Sequence, residues 1–349
     1  MDHGGDIYRN RIDHDFSVSL NPAGIPTKMY DAINEGVARA GSYPDILQVS
    51  VRECIGAHEG ISYECVFAGN GASELILAIT RALEPENVLL IEPGFSGYRY
   101  ALNGLHNCNI ETYYLKKDDD FILTSDILER IDNDTDLIFL CDPWNPTGKN
   151  IDEDLLLAII EKADTNDTFV VLDQSFFHLS KSCLKGFDVK SMLKRYKKLI
   201  ILRSMTKLFA LPGIRTGYVM ADETIIKRIR NELAEWNLSA ISQEVIKAGI
   251  SLISERSFLD SSLGLIKKGR EYLESELRSL GIRVYDSDTN FILIESKHEL
   301  YEKLITKKIL IRDLSKHPGL KKGFYRIAIK DQGSNRMLLE SIREIINGH

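Results

Sequence analysis

Short apolar runs that alternate with helical patterns fill the chain from about residue 50 to residue 220. The clearest runs are continuous and end at a polar residue; they cover 88–91, 137–141, 169–172 and 199–202. Strands that are covered on both faces have this uninterrupted apolar pattern. Helical patterns, such as the one over 152–163, lie between some of the runs. The alternation predicts an α/β fold in which a mostly parallel sheet lies between helices.

The pattern changes after about residue 225. A long helical region over 222–280 precedes three strand candidates at 283–285, 291–294 and 325–329, and a helix closes the chain at 334–347. We therefore expect a large domain over 41–225 and a smaller α+β domain over 226–349. The N-terminal segment, 1–40, is expected to pack on the small domain or at a subunit interface.

Charge and composition exclude several classes of protein. The 349 residues carry a net charge of −7, which argues against a nucleic-acid partner because such partners select a basic face. No apolar run approaches the ~18 residues that a membrane span requires, and the first residues lack the pattern of a signal peptide. The five cysteines form no C-x-x-C pair, which predicts free thiols in a reducing cytoplasm and no metal site.

One segment carries the strongest chemical signal. Lys207 lies three residues after Ser204 and eight before Arg215, just past an apolar run. A lysine amine can form a Schiff base with an aldehyde, while a serine and an arginine beside it can hold a phosphate dianion. Those are the two attachments that pyridoxal 5′-phosphate (PLP) requires. The segment therefore predicts an enzyme that carries this cofactor on Lys207.

Other candidate site residues also follow apolar runs, on the side of the sheet where ligands bind. Asp173 could keep a cofactor ring nitrogen protonated, or it could be a buried helix cap. Asn145 could donate to the phenolic oxygen of the cofactor, although Asn-Pro-x-Gly is also a simple turn. Gly71 and Ala72 open a helical pattern, where backbone N–H groups suit a phosphate. Phe95 could stack on the cofactor ring or belong to the core.

Arg326 lies inside a strand candidate of the small domain. A guanidinium at such a position either extends to solvent or binds an anion. Its planar fork matches a substrate carboxylate.

The order and spacing of this set resemble the class I/II aminotransferase superfamily of PLP enzymes with fold type I, over nearly the whole chain. The matching positions are Gly71, Ala72, Phe95, Asn145, Asp173, Ser204, Lys207, Arg215 and Arg326. The resemblance implies a homodimer with shared active sites, in which Tyr43 reaches the cofactor phosphate of the other subunit.

Two branches of the superfamily compete. The chain looks more like the threonine-phosphate decarboxylases of cobalamin synthesis than like the histidinol-phosphate aminotransferases. Phe176, three residues after Asp173, resembles the decarboxylase branch, because aminotransferases usually carry a tyrosine there that bonds the phenolic oxygen. Ser19 stands where the decarboxylases usually have Asn, and Trp144 replaces the Asn that usually precedes Asn145.

The resemblance also implies a set of substrate-binding residues. They are His3, Ser19, Asn21, Arg312 and Arg326, with a substrate phosphate as the hypothesis for His3, Ser19 and Arg312. A frayed terminus for His3 and a surface ion pair for Arg312 are the alternatives. Three functions stay open at this point: a PLP lyase, a PLP aminotransferase, and a protein on this fold that binds without catalysis.

Overall fold

The computed structural model describes residues 4–185 and 187–348. Its strands are β1 (His14–Asp15), β2 (Val66–Gly69), β3 (Asn87–Glu92), β4 (Asn109–Tyr114), β5 (Leu137–Cys141), β6 (Phe169–Asp173), β7 (Leu199–Ser204), β8 (Gly217–Met220), β9 (Arg283–Val284), β10 (Phe291–Glu295), β11 (Ile309–Leu310), β12 (Arg312–Asp313) and β13 (Phe324–Ala328). The helices are α1 (Thr27–Ala38), α2 (Val49–Glu59), α3 (Ala72–Leu83), α4 (Ser96–Leu102), α5 (Glu153–Thr165), α6 (Ser182–Lys185), α7 (Val189–Arg195), α8 (Glu223–Asn231), α9 (Ala240–Glu255), α10 (Ser257–Ser279), α11 (Leu300–Thr306) and α12 (Gln332–Asn347).

The central sheet has seven strands in the order β2-β8-β7-β6-β5-β3-β4. The pairs from β4 through β7 are parallel, and β8 alone runs antiparallel to both of its neighbours. The prediction of a large domain with a mostly parallel sheet between helices is confirmed. All four runs from which it was made are strands.

Apolar residues on the two faces of this sheet belong to two separate cores. Within β3, Leu89 and Ile91 join one core while Val88 and Leu90 join the other. Because both faces are covered, the inner strands need apolar side chains at every position, and this explains their uninterrupted pattern.

A smaller α+β unit follows, as the sequence predicted. Its four-stranded sheet has the order β12-β13-β10-β9 and is antiparallel throughout. Helices α10 and α12 pack together beside this sheet. The N-terminal segment joins the same unit, since β1 pairs in parallel with β11 and the Ala328 amide donates to the Phe16 carbonyl at 2.9 Å.

The helical region over 222–280 is three helices. The side chains of Asp222 and Ser239 cap the starts of α8 and α9, and Arg256 adopts a left-handed φ of 61° between α9 and α10. Helix α8 packs on α3, and α9 packs on α1 and α2. The domain boundary at 225/226 stays a prediction. Within the described residues, no helix combines the length and apolarity that crossing a membrane requires.

Candidate active site

The loop between β7 and β8 carries the predicted anchor. Ser204 and Gly217 pair across the two antiparallel strands, so the sheet holds both ends of the loop. Burial, then the charges of Arg326 and Arg215, lower the pKa of the Lys207 amine to about 8. An amine with such a pKa is uncharged in roughly one molecule in ten at pH 7, far more often than an ordinary lysine, and the uncharged form is the nucleophile toward an aldehyde.

The phosphate residues of the prediction lie around the start of α3. Gly71 precedes the helix with a φ of 77°, and no side chain caps the first amides. A Cβ built on Gly71 would lie 2.8 Å from Arg215 Nη2, so the glycine lets the guanidinium approach this helix start. Ser204 is buried and its Oγ lies 2.8 Å from the Thr206 Oγ1. Amides, hydroxyls and a guanidinium together fit a phosphate dianion.

Asp173 ends β6 inside the protein. The Tyr98 hydroxyl donates to its Oδ2 at 2.7 Å, and the Ser175 amide donates to its Oδ1 at 2.9 Å. Burial raises the pKa of Asp173, and these hydrogen bonds oppose the increase. The Tyr98 ring stacks on Phe139 at 4.6 Å, which fixes its hydroxyl. A buried carboxylate with two donors can take a third, such as the N–H of a protonated pyridine.

The residues predicted around the cofactor ring lie on neighbouring turns. Phe95 ends the turn after β3, and its edge meets Tyr98 at 5.4 Å between ring centroids. Asn145 Oδ1 accepts from Arg326, which leaves its amide NH₂ as a donor. Phe176 is buried with its edge against Phe291 at 5.0 Å. Their roles toward a cofactor stay predictions.

Arg326, on β13, is fixed by three contacts. Its Nη1 donates to Asn145 Oδ1 at 2.7 Å, its Nη2 donates to the Ser17 carbonyl at 2.8 Å, and its guanidinium lies over the Phe291 ring at 5.2 Å. Its buried Nε–H has no partner within the described residues. Burial and then the Arg312 charge lower the pKa of Arg326 to about 9, so the group stays charged at neutral pH.

Arg312 stands directly opposite Arg326 in the β12–β13 pair and is buried. It lines a cleft of about 650 Å³ between the N-terminal segment, α4 and residues 310–318. The buried guanidinium of Arg312 and the half-buried one of Arg326 repel each other, which makes the position favourable for anions.

The remaining predicted residues have different surroundings. Ser19 is buried and its Oγ has no partner within the described residues. Asn21 is buried, and its amide donates to Leu208 O and to Ser262 Oγ, both at 2.8 Å. It therefore ties the N-terminal segment to the Lys207 loop. Tyr43 is 83% exposed, and His3 lies outside the described residues.

Trp144 lies beneath the turn that it precedes. It is 3% exposed, and its indole N–H donates to the Pro93 carbonyl at 2.8 Å. Three other contributors were not found from the sequence: Tyr98, Thr206 and the carbonyl of Ser17. Tyr98 follows Phe95 by three residues on a helix face that turns inward, a spacing that could have suggested it. A backbone carbonyl leaves no signal in a sequence.

Comparison with known proteins gives the family of this chain. The family model for aminotransferase class I and II matches residues 16–342. The chain belongs to this family. Its members are PLP-dependent, so this chain is a PLP-dependent enzyme, and the Lys207, Asp173 and Gly71 surroundings fit that cofactor.

Relatives with two different activities match the chain at about 30% identity, which does not decide between them. It is 29% identical to the threonine-phosphate decarboxylase of Salmonella typhimurium over 96% of this chain and 91% of that protein. It is also 29% identical to the histidinol-phosphate aminotransferase of Methanothermobacter thermautotrophicus, over 93% of this chain and 87% of that one. The crystal structure of the histidinol-phosphate aminotransferase from Clostridium acetobutylicum superposes with a TM-score of 0.87 at 28% identity, covering 96% of this chain and all of that one.

Proposed function

We propose that this enzyme is a carboxy-lyase that releases carbon dioxide from a phosphorylated amino acid, most like L-threonine O-3-phosphate. The pairing of Arg312 with Arg326 is the observation that carries the proposal. A phosphorylated amino acid brings two anions, a carboxylate and a phosphate, and the pair offers one guanidinium for each.

Three side chains would hold the cofactor and move protons. Lys207 Nζ would attach to its aldehyde and, once displaced by the substrate amine, could carry a proton at the substrate α-carbon. Asp173 would keep the ring nitrogen protonated, with Tyr98 orienting the carboxylate. The bound cofactor supplies a ring that accepts the electrons of the bond broken at the α-carbon.

Arg326 would help to select which bond at the substrate α-carbon breaks, by fixing the substrate carboxylate. Arg326 cannot turn freely, because Asn145 and the Ser17 carbonyl hold two of its nitrogens. Its Nε–H remains to bind substrate. Through this fixed fork, Arg326 would hold the substrate carboxylate for loss of the carbon–carboxylate bond rather than the carbon–hydrogen bond.

Phe176 supports the lyase over the transferase. It is buried, lacks a hydroxyl and packs against Phe291, the ring beneath Arg326. It therefore offers no hydrogen bond to the cofactor's phenolic oxygen. Without that donor, the proton equilibrium at the Lys207 attachment differs from that of an enzyme with tyrosine there.

The alternative is an aminotransferase of the histidinol-phosphate type. Relatives with that activity match the chain at similar identity, and both reactions would use Lys207, Asp173 and Arg326 alike. A protein without catalysis is disfavoured, because the chain belongs to a family of PLP-dependent enzymes.

We also propose that the enzyme is a cytoplasmic homodimer in which Tyr43 serves the partner's site. Tyr43 packs on Trp236, with ring centroids 5.0 Å apart, and both rings are exposed in the single chain. Exposed aromatic pairs of this kind are typical of interfaces. All five cysteines are free thiols, as in proteins of reducing compartments.

One experiment separates the two reactions. Holoenzyme is mixed with O-phosphothreonine and, separately, with glutamate or histidinol phosphate. Release of carbon dioxide without an oxo-acid acceptor supports the lyase. Stoichiometric conversion of the cofactor to its aminated form supports the transferase and overturns the proposal.

Arg312→Ala tests whether Arg312 recognises the substrate phosphate. Losing a charged hydrogen bond costs about 1.5–3 kcal/mol, so apparent affinity for the phosphorylated substrate should fall about ten- to hundredfold. Arg283→Ala is the matched control, because Arg283 lies on the same small sheet and pairs with Asp120 at 2.8 Å. Unchanged affinity in Arg312→Ala for every phosphorylated substrate would refute phosphate recognition by this residue.

A further inference from the structure

The turn that carries Phe95 receives hydrogen bonds on two adjacent carbonyls. The Trp144 indole N–H donates to Pro93 O at 2.8 Å, and His317 Nε2 lies 3.0 Å from Gly94 O. Since a carbonyl only accepts, His317 carries its proton on Nε2 in this contact. Trp144 belongs to the large domain and His317 to the small unit, so both parts of the molecule hold this turn.

The two segments lie in direct contact. Gly319 has a φ of 79°, and a Cβ on it would lie 3.2 Å from Pro93 Cδ and from Tyr114. No side chain therefore separates residues 317–319 from the turn before Phe95. A shift of one of these segments must move the other, because close-packed backbones do not compress.

The His317 segment continues directly from the arginine pair. The strand of Arg312 ends at Asp313, and the Leu314 amide then donates to Phe324 O at 3.0 Å. Further bonds, from the His317 amide to Leu314 O and from the Leu320 amide to His317 O, both at 3.0 Å, fold the chain into a rigid turn. A short, hydrogen-bonded path thus joins Arg312 to Gly94 O, the carbonyl just before Phe95.

We propose that His317 is a positioning residue that couples anion binding at the Arg312–Arg326 pair to the placement of the Phe95 ring over the cofactor. This inference rests on the proposed function, which assigns the substrate anions to that pair. Substrate that draws Arg312 toward the fixed Arg326 would press the His317 turn onto the Phe95 turn, so the ring would close on the cofactor only after substrate binds. The imidazole touches no reacting atom and acts through Gly94.

The chain contains a reporter for this movement. It has two tryptophans, and in a Trp236→Phe background the emission of Trp144 reports on the Pro93 carbonyl that its indole N–H contacts. Inorganic phosphate is the probe for the arginine pair, because it binds without reacting. Measurements use holoenzyme and record both Trp144 emission and the visible circular dichroism of the bound cofactor.

With His317 intact, phosphate should change both signals. In His317→Phe, which keeps a ring and loses the donor, phosphate should change neither. The kcat should fall about three- to tenfold, as loss of one hydrogen bond allows, with KM nearly unchanged because both arginines remain. His317→Gln places an N–H near the position of Nε2 and should restore the response. His106→Phe, at an exposed histidine of the large domain, is the matched control and should behave as the parent.

Two results would overturn the inference. One is a full phosphate response of Trp144 in His317→Phe. The other is a lost phosphate response that His317→Gln does not restore, together with a lower Tm. A purely structural role of His317 predicts that combination. If the enzyme releases no carbon dioxide from O-phosphothreonine, the proposed function fails, whereas the phosphate responses of the variants still decide on His317.

Discussion

Replacing Tyr98 with Phe removes a single hydroxyl from the surroundings of Asp173. That hydroxyl donates to Asp173 Oδ2 at 2.7 Å, and burial with the nearby carboxylate raises its pKa well above the ordinary value, so it stays a donor. The ring itself stacks on Phe139 at 4.6 Å and should keep this contact as phenylalanine. The substitution therefore tests the hydrogen bond with little change in packing.

The size of the effect follows from the charge of the acceptor. A hydrogen bond to an ionised group contributes about 1.5–3 kcal/mol, roughly twice a neutral one. Without it, the carboxylate keeps the hydrogen bonds from Ser175 but loses the one from Tyr98, and the pKa of Asp173 should rise further. A protonated Asp173 cannot keep the cofactor's ring nitrogen charged. Affinity for PLP should fall about ten- to hundredfold, and kcat should fall with it.

The assay is a titration of apoenzyme with PLP, followed by visible absorbance. Tyr113→Phe is the matched control, since Tyr113 is also buried and its hydroxyl donates to Asp126 at the same distance of 2.7 Å. Wild-type affinity in Tyr98→Phe would refute the assignment of Asp173 to the ring nitrogen. An equal loss in Tyr113→Phe would point to a general loss of stability instead.

Two further predictions concern the proposed site of the cofactor phosphate and the amine of Lys207. Gly71→Ala should weaken PLP binding at least tenfold, because the added Cβ would lie 2.8 Å from Arg215 Nη2. The control Gly281→Ala has a similar φ of 75° in open space and should lower only Tm. Equal PLP affinity in the two variants would contradict the argument. In the apoenzyme, the pKa of Lys207 is about 8 against an ordinary 10.5, so the unfolded chain binds more protons between these values and stability should rise with pH across that window. Denaturant unfolding should show this rise relative to Lys207→Met, and parallel curves for the two proteins would refute it.

The inner strands of the large sheet were predictable because burial on both faces leaves an unmistakable pattern. Strand β4 was missed because it lies at the sheet edge, where polar residues such as Glu111 and Thr112 interrupt the apolar run. Strand β8 was missed because it is short and directly follows the Lys207 loop. Strands β11 and β12 have two residues each, too few for any periodicity.

The site likewise contains residues that the sequence predicts and contacts that it does not. Residues that lie at strand ends, such as Asp173 and Lys207, could be predicted, because topology brings the carboxyl ends of parallel strands together. The pairing of Arg312 with Arg326 could not, because it depends on the register of two strands in a small antiparallel sheet. The contact of His317 with Gly94 depends on how the two parts of the chain dock, which no local pattern encodes.

The loop between β7 and β8 has a consequence for how such enzymes diverge. Sheet pairing of Ser204 with Gly217 closes it, so three of the predicted cofactor residues, Ser204, Lys207 and Arg215, lie in one short segment. The two guanidinium groups proposed to bind the substrate come from β12 and β13, far along the chain. On these assignments, new specificity arises through changes in that distant region, while the loop proposed to hold the cofactor stays unchanged.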